Sequence, residues 1–182
     1  MITVILGTSP YPFHRAVSWL LTLIQDQVIN ESVFIQSGCT DISRLERHPL
    51  VQTRALVSSG ELTDLVNQSR LVISHAGQGS ARMLVAQGAS FILLPRLARY
   101  LEHVDDHQLS FSQATQQFGV NYCLDFEGLK RAVLTPPTPL ATQKLFSGPK
   151  LADYLCQAYP APDSERGATS STKENDQLVL ER

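Results

Sequence analysis

Clustered positive charge is missing from this chain: 15 Lys and Arg face 17 Asp and Glu, for a formal net charge of −2, and no basic run stands out. Nucleic acid is therefore not an expected partner, because such binders gather Lys and Arg on one face. Long hydrophobic runs are missing too. No apolar stretch approaches the roughly 20 residues needed to span a bilayer, and Met1 leads straight into an apolar pentapeptide without the basic segment or cleavage site of a secretory signal. These absences point to a cytoplasmic protein, with any membrane association coming from a surface or a partner. Cysteine is scarce: Cys39, Cys123 and Cys156 are an odd number at irregular spacing, which argues for a reducing compartment and against a disulfide framework. Three signature motifs are also lacking. There is no GxGxxG, no Walker lysine and no GxSxG elbow, so ordinary dinucleotide, P-loop and serine-hydrolase readings are disfavoured even though Ser74 precedes His75.

What is present is a regular alternation of short apolar runs and helical periodicity. With 182 residues and 43% hydrophobic content, one substantial core is affordable and two full domains are not. Residues 2–6 read as a buried strand that stops at Gly7-Thr8-Ser9-Pro10. A helix follows, with Phe13, Val17, Leu20, Leu21 and Ile24 on one face. Further strands are expected at 32–36, 51–57 (as one strand or a pair of short extended pieces), 71–73, 91–94 and 120–124, and further helices at 59–69, from about 80, at 105–118, 126–133 and about 149–158. Residues 39–49 read as an exposed connection. In the helix at 105–118, Leu109, Phe111 and Ala114 are the expected apolar contacts, with Gly119 as its stop. The order strand, helix, strand implies an α/β domain: a Rossmann-like, mainly parallel sheet flanked by helices. The domain is expected over 1–159, followed by a polar, disordered tail over 160–182.

The centre of the chain carries the chemistry. The run 71–73 stops at SHAGQGS, and Ala81, Leu84 and Val85 then recur at helical spacing. Gly77 and Gly79 let a ligand approach the backbone, and the free N–H groups of a helix's first turn favour an anion. A lone glycine could be no more than a tight turn. Two such turns at one sheet edge, Gly7-Thr8 and His75 to Ser80, make a phosphate or nucleotide site the better reading. After the next strand comes EHVDDHQ, residues 102–108, with three readings of its own. His103, Asp106 and His107 could hold a metal; Glu102, His103, His107 and Gln108 could hydrogen-bond sugar hydroxyls; or the segment could be a solvated helix start. His14, just after the first turn, is a weak candidate for reaching a phosphate, with an ordinary exposed helix histidine as the alternative. Cys39 near His48 reads as a buried or incidental thiol rather than a catalytic one.

Taken together, ILGTSPYPF, FIQSG, SHAGQGS, LLPR and EHVDDHQ resemble the donor-binding half of GT-B glycosyltransferases, in the family 28 C-terminal domain group, over residues 2–119. The likeness extends to small stand-alone members, such as the catalytic subunit of the two-part UDP-GlcNAc transferase of dolichol-linked glycan assembly and its exopolysaccharide counterparts. The resemblance implies that His75, Gly77, Gly79 and Ser80 receive the nucleotide diphosphate, that His107 and Gln108 contact the donor sugar with Glu102 and His103 close by, and that Gly7 and Thr8 face the cleft. It also implies a hexosyltransferase-type enzyme of polysaccharide biosynthesis that needs no metal and no cofactor, the sugar nucleotide being a substrate. The acceptor-binding half and the general base would come from a membrane-associated partner subunit that recruits a lipid-linked acceptor. Many relatives carry a glutamate for the ribose where this chain has Met83, so uridine is not implied as firmly as the diphosphate. The competing readings are a metal-dependent hydrolase using His103, Asp106 and His107, and a non-catalytic sugar-nucleotide-binding protein.

Overall fold

Five strands, β1 (Ile2–Ile5), β2 (Val33–Gln36), β3 (Val51–Arg54), β4 (Leu71–His75) and β5 (Phe91–Leu94), form one sheet in the order β3-β2-β1-β4-β5. Every pairing is parallel. The computed structural model describes residues 1–140; the helix expected at about 149–158 and the tail at 160–182 lie outside the described residues. The helices are α1 (His14–Gln25), α2 (Ser43–Glu46), α3 (Ser59–Asn67), α4 (Gln78–Ala86), α5 (His107–Gln116) and α6 (Phe126–Leu134).

Period-two alternation along the strands divides the core into two layers. Ile2 and Val4 of β1, Leu71 and Ile73 of β4, and Ile92 and Leu94 of β5 pack with Leu20, Leu23 and Ile24 of α1, Leu45 of α2 and Leu129 of α6. Ile5, Val72, Phe91 and Leu93 face the other way, onto Val66 of α3 and Ala81, Leu84 and Val85 of α4. A sheet covered on both faces needs nearly continuous apolar strands, as β1, β2, β4 and β5 nearly are; the edge strand β3, VQTR, is partly exposed.

Several expectations need correction. Residues 39–49 are not simply an exposed connection: they contain α2, which buries Leu45 completely. The strand expected at 120–124 is reduced to a single parallel bridge between Tyr122 and Leu93. In α5 the fully buried residues are polar, Gln108, Ser112 and Thr115; of the expected apolar contacts Phe111 packs against the core and Leu109 is half-buried, while Ala114 is exposed. Those hydroxyls are satisfied within the helix, Ser112 Oγ donating to Gln108 O at 2.8 Å and Thr115 Oγ1 to Phe111 O at 2.9 Å, which removes the usual cost of burying them. Gly119 does stop α5 near its end, at φ +90°.

The strand order fixes where a ligand can sit. From β1 the chain winds outwards through β2 and β3, then returns to the other side of β1 with β4 and β5. The direction of winding reverses between β1 and β4, and loops leaving the carboxyl ends of those two strands diverge to open a crevice. Gly7 follows β1, and Gly77 follows β4.

Candidate functional site

Both glycine turns line one cleft of about 300 Å³. Gly7, Thr8, His75, Gly77, Gly79 and Ser80 all face it, with Gln36 and the apolar Ile5, Leu56, Val57 and Leu62 completing the walls. Larger hollows exist, one of about 480 Å³ between Arg70, Ser90 and Pro137 among others, but that one lies by the amino ends of β4 and β5 and contains none of the candidate residues.

On the cleft's far wall, α4 begins at Gln78 with Gly77 as its N-cap, and no side chain caps it. The first helical bond is from Ala81 N to Gly77 O at 3.0 Å, so the N–H groups of Gln78, Gly79 and Ser80 have no helical carbonyl within reach. By contrast, α3 and α6 are capped by Ser58 and Asp125. An uncapped helix start at the switch point is suited to an anion.

His75 is held between two glycines. A Cβ at Gly77 would lie 2.4 Å from His75 Nε2, and one at Gly7 would lie 2.8 Å from the same atom. Only glycine lets the ring lie this close, and Gly7 also adopts φ +85°. Burial pushes the imidazole pKa from 6.5 down to about 4, with smaller contributions from the Arg96 and His103 charges. The ring is therefore neutral at pH 7. Its Nδ1 lies 3.3 Å from Ile5 O, and a carbonyl can only accept, so the proton is on Nδ1 and Nε2 presents a bare lone pair beside the two glycines.

Three residues that the sequence reading passed over build the frame. Gln36, the last residue of β2, accepts from Gly7 N at 3.1 Å through its carboxamide oxygen, and its amide donates to Ala55 O at 2.9 Å and Gly7 O at 3.3 Å. Arg96 is wholly buried. Its guanidinium donates to Leu6 O at 2.8 Å, Tyr11 O at 2.5 Å and Glu102 O at 3.1 Å, which ties the loop after β1 to the loop after β5. Arg15 binds Glu102 in bidentate fashion at 3.0 and 2.8 Å and reaches Pro95 O at 2.7 Å. Two buried or nearly buried guanidinium groups against one carboxylate leave an excess positive charge beside the cleft. The signal was available in Arg96 of LLPR: a charge immediately after a buried strand must have partners.

The EHVDDHQ residues do not line the same cleft. They occupy the loop after β5, whose Leu94 pairs with His75 in register, and His103 is near enough for its charge to lower the His75 pKa. Both segments therefore lie at one edge of the sheet. Glu102 is buried, with its carboxylate engaged by Arg15 and by Leu97 N at 3.0 Å. Gln108 is buried and accepts from Arg96 N at 3.1 Å. His103 precedes α5, so helical spacing does not pair it with His107; the loop does, with ring centroids 4.4 Å apart. The carboxylate beside these rings is that of Asp105. Asp106, the expected third member, instead accepts from Ala98 N at 2.8 Å, capping the 3-10 turn Ala98–Tyr100. His14 is exposed at the start of α1 and is not among the cleft residues.

Residues 1–144 match the model of the glycosyltransferase family 28 C-terminal domain. The chain belongs to this family. No curated protein matches its sequence. Among solved structures, it is similar to the glycotransferase of kitacinnamycin, with a TM-score of 0.54 and 15% identity over 73% of this chain and 33% of that one. It is also similar to the glycosyltransferase SnogD from Streptomyces nogalater, with a TM-score of 0.52 and 18% identity over 74% of this chain and 34% of that one. The chain thus spans about a third of the length of each, and at these identities the likeness establishes the fold: a Rossmann-like half of a GT-B architecture. Among the described residues no helix is long and apolar enough to cross a membrane.

Proposed function

We propose that this family 28 domain binds a nucleotide-diphosphate sugar, a UDP-sugar in the first instance, and transfers its hexosyl group to a lipid-linked acceptor presented by a second, membrane-associated subunit on the cytoplasmic face. The observation that carries this reading is the cleft at the switch point, where an uncapped helix start and a glycine-bracketed His75 face Gly7 and Thr8. The diphosphate lies on the Gln78, Gly79 and Ser80 amides, with the Thr8 hydroxyl opposite. The sugar extends towards the loop after β5, to His107 and Gln108, with Glu102 and His103 behind them.

The chemistry follows from this placement. An acceptor hydroxyl attacks the anomeric carbon, the bond from that carbon to the diphosphate oxygen breaks, and UDP departs with the electron pair. Negative charge grows on the departing phosphate, which the N-terminus of α4 and the excess positive charge of Arg15 and Arg96 stabilise without moving. The acceptor proton passes to a base on the partner subunit; exposed His14 is the weaker alternative within this chain. No metal and no cofactor take part in the transfer.

The test is thermal. UDP, UDP-GlcNAc and UDP-glucose should each raise the Tm of the purified chain by mass action, and the chain alone should show little or no transfer. Co-purification then asks which second polypeptide restores turnover. If no nucleotide or nucleotide sugar raises the Tm, the reading fails.

A further inference from the structure

Apart from the cleft, the described residues contain one concentration of metal-ligating side chains: His103, Asp105 and His107, whose ligand atoms all lie within 4.8 Å of one another. We propose that these three residues form a binding site for a first-row transition cation of the zinc class, a site that fastens the loop after β5 to the start of α5. Its ion supplies no chemistry to the transfer step; His107 is shared with the proposed sugar contacts, but the cation test does not depend on the donor reading.

The donor set suits such an ion. Two imidazoles and one carboxylate favour zinc, cobalt or nickel over magnesium or calcium, which prefer oxygen alone. Asp105 Oδ1 lies 2.5 Å from His107 Nδ1 and 3.4 Å from His103 Nδ1. Ligand atoms around a tetrahedral zinc stand about 3.3 Å apart, from bond lengths of about 2.0 to 2.2 Å. The His103–Asp105 pair is therefore at a ligand-like separation, while the shorter Asp105–His107 hydrogen bond must open by about 0.8 Å for all three groups to share one ion.

A second observation points the same way. His103 Nδ1 is buried and has no hydrogen-bond partner. Near it is an oxygen that already accepts from the His107 ring. A buried nitrogen left unpaired is costly, and a cation shared with Asp105 and His107 would satisfy it. The ring is also fixed in advance, tilted against Tyr11 with centroids 5.9 Å apart and edge-on to His107. Because the side chains of Asp105 and His107 are 59% and 52% exposed, the fourth coordination position opens to solvent, and the ion can enter without unfolding the loop.

The experiment uses the full chain, stripped with a chelator and desalted, and titrated with Zn2+ against a chromophoric competitor. One ion per chain is expected, and Co2+ should give the visible absorption of a four-coordinate site with nitrogen ligands. His103→Gln, Asp105→Asn and His107→Gln should each weaken binding by about tenfold or more, while His14→Gln, His48→Gln, Cys39→Ser and Cys156→Ser should leave it unchanged. Since a variant could disturb the loop, imidazole nitrogen NMR of the unmodified chain gives an independent reading, with Zn2+ shifting His103 and His107 and no other histidine. Absence of stoichiometric binding at micromolar Zn2+, loss of binding in a cysteine variant, or shifts confined to other histidines would each overturn the assignment. None of these results bears on whether UDP-sugars raise the Tm, so the two proposals fail separately.

Discussion

Gly79→Ala separates what the glycines do for the fold from what they do for a ligand. Gly79 occupies the second position of α4, and a Cβ built there meets no protein atom within 4 Å. Nothing resists the added methyl. Alanine is the better helix former by up to about 1 kcal/mol in a helix interior, so the variant should be as stable as the parent or more so by a few tenths. Yet Gly79 lines the cleft, and a methyl at the helix start intrudes where diphosphate oxygens would approach the amides. Lengthening one such contact should weaken UDP by about tenfold, or ~1.4 kcal/mol.

Gly77→Ala is the contrasting control. Its Cβ would fall 2.4 Å from His75 Nε2, so the ring or the turn must shift, at a cost of about 1–3 kcal/mol. Urea denaturation and isothermal calorimetry with UDP measure both variants. Stability should fall in Gly77→Ala alone, and affinity should fall in both. Gly79→Ala binding UDP with the parent affinity would refute the placement of the diphosphate on α4, and a loss of more than 1 kcal/mol of stability would refute the claim of open space.

Other expectations follow from the frame around the cleft. His75 has a folded pKa of about 4, below its ordinary 6.5, so the unfolded chain takes up a proton that the native state refuses; its contribution is complete above pH 6.5 and is lost as pH falls towards 4. That amounts to about 2 kcal/mol between pH 7 and pH 5, read as the difference in pH dependence of unfolding between the parent and His75→Gln, and equal slopes would contradict it. Arg15→Met leaves the buried Glu102 carboxylate without its bidentate partner and should cost about 3–5 kcal/mol in urea denaturation; a loss under 1 kcal/mol would mean that water reaches the pair. Arg96→Met removes the bonds to Leu6, Tyr11 and Glu102 and should lower both unfolding free energy and UDP affinity, the former by about 3 kcal/mol or more. A destabilised Arg96 variant with native affinity would show that this residue does not position the cleft.

The sheet was largely legible in the sequence, because a parallel strand buried on both faces leaves an unbroken apolar run and its turns need glycine. Residues 2–6 and 91–94 carry that signal, and the five observed strands differ from expectation by at most three residues, most at β3, which stops at Arg54. The reading failed where burial and polarity part company. Apart from Phe111, little that is apolar distinguishes the inner face of α5, since Ser112 and Thr115 are satisfied by their own helix. The 120–124 segment has strand-like composition, but only Tyr122 bridges to β5, so its neighbours make no ladder.

The site divides along a similar line. Glycines, free amides and a histidine beside a turn can be read from sequence because their spacing is local: Gly7, His75, Gly77 and Gly79 each lie within two residues of a strand or helix end. Gln36 and Arg96 were not legible as frame residues, because their partners, the peptide of Gly7 and the carbonyls of Leu6 and Tyr11, lie 29 to 90 positions away. For the same reason nothing local announces that the oxygens of Glu102 and Gln108, which read as ligand contacts, also bind Arg15, Leu97 and Arg96. A buried carboxylate held by a guanidinium and a backbone amide changes its hydrogen bonding to suit a sugar only if that ion pair opens. Glu102→Gln therefore bears on stability before affinity, whereas exposed His107 can be altered with little effect on the core, and of the two it is the sharper probe of where the sugar lies.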